Sequence, residues 1–151
     1  MSIFGGLNTN ASALTAQRLR MDVISSNIAN AQTTRATVNE NGEYQPYRRK
    51  MVVAQPKEKS FHSFLQQASN STASPGSGVK ITKITEDDEP FKIVYNPAHP
   101  DANDAGYVQM PNVDPLKEMV DLMSTTRSYE ANVTALNATK NMLLKALEIG
   151  K

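Results

Sequence analysis

DPLKEMVDLMSTTRSYEANVTALNATKNMLLKALEIG, residues 114 to 150, has the marks of one long helix. Asp114 is a good N-cap, Pro115 suits the first helical position, and Gly150 suits the stop. Between them Met119, Leu122, Thr126, Tyr129, Val133, Leu136, Lys140, Leu143 and Leu147 step by three and four residues, which keeps them on one face. Leu116, Val120, Met123 and Leu144 broaden that face. From Pro115 to Ile149 the helix is roughly 50 Å long at about 1.5 Å per residue. A helix of that length, apolar on one side, needs a partner to hold it.

The first 30 residues supply one. Leu7, Asn10, Leu14, Gln17, Met21, Ile24 and Ile28 follow the same alternating steps, a heptad-like seam, and Ala11, Ala13, Ala16 and Val23 widen it. Asn10 and Gln17 interrupt the apolar register; polar residues there cost stability and help fix register and partner. Asn8 or Thr9 is expected to cap the start of a helix over 8–29, after a flexible Gly5-Gly6. Ser25-Ser26-Asn27-Ile28-Ala29-Asn30 slows it with side chains that bond back to the chain, and Asn30 suits a left-handed C-terminal position.

The middle reads differently. It holds most of the eight prolines and several β-rich runs: Tyr47 to Ala54, Val79 to Thr85, Phe91 to Tyr95 and Tyr107 to Met110. Ser60 to Ala68 suits a short helix, and Ser69 to Gly78 has a flexible loop's composition. The expected fold is therefore α+β. Long N- and C-terminal helices pair as an antiparallel coiled-coil-like core, with a small β-rich middle domain at the end near Asn30 and Asn112. The divisions fall at 1–32, 33–112 (with a flexible loop near 69–78) and 113–151. So small an insert cannot cover both apolar faces, so at least one helix is expected to pack against another chain.

Composition narrows the function. Net charge is +1, from 16 Lys and Arg against 15 Asp and Glu, which leaves no footprint for nucleic acid or an acidic membrane surface. The absence of cysteine removes disulfides, thiolate metal sites and cysteine nucleophiles. No run of about 18 apolar residues is present, so the chain is not expected to span a membrane. Met1 to Gly6 has neither a basic nor an apolar signal region, so no cleaved signal peptide is expected.

Motifs for chemistry are missing. His62 and His99 stand far apart without a metal-binding pattern, and no nucleophile elbow, Walker loop or dinucleotide fingerprint occurs. Asp101-Ala102-Asn103-Asp104-Ala105-Gly106 begins like a calcium loop. Ala105 cannot ligate, however, and Asn112 stands where the bidentate glutamate belongs, so a turn is expected. The run Glu86-Asp87-Asp88-Glu89 reads as a solvated turn. Tyr47-Arg48-Arg49-Lys50 and Arg18-Leu19-Arg20 read as solvated faces, or as contacts to acidic patches on neighbouring subunits. No catalytic residue, cofactor, metal or small-molecule substrate is expected, and hence no enzyme.

Two motifs lie inside the two seams. Ser26-Asn27-Ile28-Ala29-Asn30-Ala31-Gln32-Thr33-Thr34 resembles the N-I-A-N-x-x-T signature of the flagellar axial family of rod, hook and hook-associated subunits. Arg127-Ser128-Tyr129-Glu130-Ala131-Asn132 resembles that family's C-terminal signature. Four further blocks are similar to a proximal-rod member: Ala16 to Ile24, Pro46 to Lys50, Tyr95 to Ala102 and Gly106 to Val113. Asn96 departs from the aspartate expected before its proline and touches only a turn. Hook and distal-rod members carry a larger insert.

The resemblance implies a structural subunit that polymerises through its terminal helices into a drive shaft, transmitting torque and enclosing the export channel. It implies export by the flagellar type III apparatus without cleavage, and residence in the basal body, in the cell envelope outside the cytoplasmic membrane. Partners would be other copies, other rod subunits, the base ring and export-gate junction, and the distal rod. The assembly surface would be Leu7, Leu14, Met21, Ile24, Asn27, Ile28 and Asn30 on the first helix, with Met119, Leu122, Tyr129, Glu130, Asn132, Val133, Leu136, Leu143 and Leu147 on the second. The alternatives are another axial protein of the family, or a type III-secreted helical component. The latter would share the helices but not the blocks at 47–50 and 95–113.

Overall fold

The computed structural model describes residues 5–39, 42–57, 65 and 78–149. Among these the order is helix α1 (Gly5–Ala29), strands β1 (Thr37–Val38), β2 (Tyr44–Gln45), β3 (Lys50–Pro56), β4 (Val79–Glu86), β5 (Lys92–Tyr95) and β6 (Tyr107–Met110), and helix α2 (Pro115–Ile149). The terminal helices pack together, and a small strand-built region lies between them in the sequence, the α+β class that the seams imply.

The helix ends follow from side-chain chemistry. Asp114 caps α2 as expected, its Oδ1 accepting from Leu116 N–H at 3.0 Å. α1 starts at Gly5 rather than at 8, and Thr9 lies inside it, its hydroxyl donating back to the Gly5 carbonyl at 3.0 Å. Asn30 does not take the left-handed conformation, since no described residue other than glycine has positive φ. Its side-chain amide donates instead to the Ser26 carbonyl at 2.9 Å, and Thr33 Oγ1 donates to Asn30 Oδ1 at 3.2 Å. Side-chain capping does there what a backbone reversal would have done.

The strands form three two-stranded sheets: β1 with β2, β3 with β4, and β5 with β6. The β1–β2 pair, Thr37 opposite Gln45 and Val38 opposite Tyr44, is absent from the sequence reading because two residues are too few to show alternation. In β3–β4, Asp87 N–H donates to Arg49 C=O and Lys57 N–H to Gly78 C=O, each at 2.8 Å, so the strands run antiparallel. β5 and β6 pair Lys92 with Met110 through Tyr95 with Tyr107. The turn between them is the turn expected of residues 101–106. Gly106 sits there at φ +80, where a Cβ would also meet the Tyr95 ring at 2.9 Å.

Contacts group the chain into two compact units. One holds Met1–Arg20, Val53–Lys83 and Thr125–Lys151; the other holds Met21–Val52 and Ile84–Ser124. The last turns of α1 share a unit with the first turns of α2, and the first turns of α1 with the last of α2, the grouping of an antiparallel pair. The insert does not stay at one end. In the first unit, Val79 N–H donates to Ser12 Oγ at 3.0 Å, so the start of β4 lies against α1. Gly78 approaches Ser12 so closely that any Cβ would overlap its hydroxyl. The short helix at 60–68 and the loop at 69–77 fall outside the described residues, apart from Leu65, which is helical and exposed.

Burial separates the units. Val23, Ile24, Tyr47, Val108 and Val113 form the apolar core, and all belong to the second unit. Among described residues of the first unit only Thr125 is buried.

Candidate assembly site

Asn27, within the seam of α1, is 1% exposed. An amide buried so deeply needs partners for two N–H donors and for its carbonyl lone pairs. It has all of them. Its Nδ2 donates to Lys50 C=O at 2.9 Å and to Glu118 Oε2 at 3.1 Å. Its Oδ1 accepts from Tyr47 Oη at 3.0 Å and from Lys50 N–H at 2.9 Å. One side chain thereby ties α1 to the segment entering β3 and to the first turn of α2.

Glu118 is also 1% exposed, and its other oxygen accepts from Arg49 Nε at 2.6 Å. Arg49 reaches on to Asp87 at 3.2 Å, and its backbone N–H donates to Asn112 Oδ1 at 2.8 Å. Asn112, 4% exposed, donates to the Glu89 carbonyl at 3.0 Å. Burial works against the Arg49 charge, but bonds and charge from Glu118 and Asp87 outweigh it and raise its pKa above the ordinary guanidinium value. The Glu89 backbone N–H, followed by Arg49, holds Asp87 below the usual carboxylate range. All these residues lie in the second unit.

The basic and acidic runs are corrected by this network. Arg48 stacks over Phe91, its guanidinium carbon 4.6 Å from the ring centre. Arg49 is spent on Glu118 and Asp87, and Tyr47 is buried. These residues are internal fasteners rather than a solvated face. Asp87 likewise leaves the solvated acidic turn. Asp101, the first residue of the calcium-like run, accepts from Thr34 Oγ1 at 2.7 Å and Arg35 Nε at 2.6 Å, and His99 Nδ1 accepts from Asp101 N–H at 3.1 Å. Among the described residues no cluster of His, Asp or Glu could hold a metal ion. His62 lies outside them.

Of the seam residues, Ile24 and Asn27 are buried. Leu7, Leu14, Met21, Ile28, Asn30, Leu122, Tyr129, Asn132, Val133, Leu136 and Leu143 are half-buried, and Glu130, Met119 and Leu147 are exposed. The Asn132 amide donates to the Ser128 carbonyl of its own helix at 2.9 Å. Gln17 Oε1, also in the seam, is shielded and has no hydrogen-bond partner among the described residues. Tyr47, Arg49, Asn112 and Glu118 escaped the sequence reading as a network. The available signal was Glu118, a carboxylate four residues before Leu122 on the inward face of α2.

The site is thus a buried polar clamp in the second unit and a half-buried seam along the two helices. Comparisons with known proteins give the class. A family model described as "Flagella basal body rod protein" matches residues 7–37, and one described as "Flagellar basal body rod FlgEFG protein C-terminal" matches 104–149. The chain thus belongs to the flagellar basal-body rod proteins. A "Flagellar basal-body rod protein FlgC" of Bacillus subtilis (strain 168) is 66% identical over 151 residues, all of both chains. Proteins of that name are 41% identical over all of both chains in Escherichia coli O6:H1, and 40% identical in Borreliella burgdorferi over 99% of this chain and 98% of theirs. Within the rod proteins, the chain belongs to the FlgC family.

Proposed function

We propose that the chain is a structural subunit of the flagellar basal-body rod, joined to its neighbours through the α1–α2 seam. The observation that carries this reading is the contrast between a fully satisfied clamp and a seam half-exposed along its length. Apolar side chains of α2 stay exposed in both units, Leu116 and Val120 in the second and Leu144 and Leu147 in the first, and neighbouring chains would remove that surface from water.

The finer parts of the reading extend from the family. The subunit occupies the proximal rod, transmits torque and lines the export channel. It reaches that place by type III export without cleavage, outside the cytoplasmic membrane. Its neighbours are further copies, other rod subunits, the base-ring junction below and the distal rod above. The terminal segments 1–32 and 113–151 serve assembly and 33–112 serves as the insert. No helix of the described residues is long and apolar enough to cross a membrane.

A strain lacking the gene tests the function. Non-motile cells without filaments, restored by the gene in trans, are the expected result. Motile cells with filaments would overturn it. For the export route, the mass of the chain recovered from basal bodies should equal that of the cytoplasmic chain.

A further inference from the structure

Two carboxylates beside the clamp take no part in it. Asp22 on α1 and Glu86 at the end of β4 are exposed, and neither makes an ion pair among the described residues. Both line one cleft of about 520 Å³, and all of its lining belongs to the second unit. Clefts that hold ligands run from about 300 to 1,000 Å³. Val23 and Ile84 give this one apolar wall, and Ser26 brings a hydroxyl. Lys50 also lines it, with its ammonium 5.7 Å from the centre of the Tyr47 ring. The lining therefore sets two carboxylates against one ammonium.

The clamp braces the walls of this cleft. Asn27 bonds both the N–H and the C=O of Lys50, each at 2.9 Å, and Ser26 Oγ lies 3.4 Å from Tyr47 Oη. Asp87 N–H donates to Arg49 C=O at 2.8 Å, which joins the end of β4 to the start of β3. Walls already ordered lower the cost of admitting an occupant. That occupant must answer two carboxylates and also lie on apolar surface. An uncharged apolar group would desolvate the carboxylates and leave them unpaired, which is costly. A lysine brings one compact, strongly hydrated charge. An arginine brings an apolar stem for Val23 and Ile84 and a planar fork of five donors, enough for both carboxylates at once.

We propose that this cleft receives an arginine side chain from an adjoining protein chain of the rod. The proposal deepens the rod reading and rests on it. The contact engages the β-rich insert, through Ile84 and Glu86, as well as α1. It also divides the acidic run at 86–89 by role: Asp87 turns inward to Arg49, whereas Glu86 faces the cleft. Charge of one sign at such a rim selects a partner of the other sign and speeds its approach.

Asp22→Asn combined with Glu86→Gln keeps the shape of both side chains and removes both charges. Made in a strain lacking the native gene, this double variant should keep the native urea midpoint, yet be recovered from basal bodies at least tenfold less than the native chain. Asp104→Asn, at an exposed carboxylate outside the cleft, should be recovered at the native level. Asp22→Arg combined with Glu86→Arg should abolish swimming, and motile revertants should replace an arginine of a rod subunit by a neutral or acidic residue. Native recovery of the double amide variant, in a strain that is non-motile without the gene, would overturn the proposal and leave the rod reading intact. Revertants whose changes spare every arginine would also overturn it, and would give the cleft to a different partner. Swimming by the strain without the gene would overturn the rod reading itself.

Discussion

Asn27 shows how much one side chain can decide. Each of its four bonds satisfies a group that α1, the β3 entry or α2 would otherwise bury unpaired. Leaving a buried polar group unmade costs about 1–3 kcal/mol. Asn27→Ala is therefore expected to lower stability by about 3 kcal/mol or more, with loss of cooperative urea unfolding as the readout. Arg49→Met should be equally severe for another reason: it strands the Glu118 carboxylate, and removing one partner of a buried pair costs about 3–5 kcal/mol. The motif around Asn27 was legible in the sequence, but its partners were not. They stand 20, 23 and 91 positions away, at distances no periodicity reports.

Asp101 gives a test in pH. The hydrogen bond from Arg35, then that from Thr34, holds its carboxyl below the usual carboxylate range. A depressed folded-state pKa contributes stability above the unfolded value, which is about 3.9, and loses it as pH falls through the lower folded value. The tie of Thr34 and Arg35 to the 99–106 turn should thus loosen only below about pH 4. Arg35→Gln should move the Asp101 titration, followed by carboxyl NMR, back up toward the ordinary value. An unmoved titration would mean that the ion pair does not hold the turn in solution.

At the scale of elements, helices were the legible part, because thirty-odd residues of three-and-four spacing have few other readings. β3 to β6 announced themselves through β-branched runs, though β3 begins three residues later than expected because Tyr47 to Arg49 serve the clamp. Counting by three and four puts Met119 on the seam; in the single chain the inward face passes through Glu118 and leaves Met119 46% exposed. A charge was discounted where a buried pair was intended. Leu136, half-buried on the true inward face, should not tolerate a charge. Leu136→Asp is expected to leave the second unit folded and the chain exported, yet absent from rods, with cells non-motile; desolvating a carboxylate there costs several kcal/mol. Ala105→Asp, on the exposed β5–β6 turn, should change stability by no more than about half a kcal/mol and leave motility intact. Swimming Leu136→Asp cells would place the assembly surface elsewhere.

For the whole molecule, the division of burial predicts a division of dynamics. Local opening is cheapest where few buried contacts oppose it. The second unit has both the apolar core and the clamp, while described residues of the first unit contribute one buried threonine. Helix propensity alone does not hold segments of this length in water; packing of the apolar face must. In the dilute chain, amides of 8–20 and 129–149 should therefore exchange at least about tenfold faster than those of 21–29 and 118–124, a gap of about 1.4 kcal/mol in opening free energy. The boundary should fall inside both helices, near Arg20 and Thr125, rather than at their ends. Assembly should abolish the contrast, because neighbours cover the seam that the monomer leaves half-exposed, and binding stabilises the state that is bound. Hydrogen exchange on the free chain and on isolated basal bodies measures both states. Uniform slow exchange along α1 and α2 in the free chain would show that the seam is complete without neighbours, and the case for assembly through it would fail.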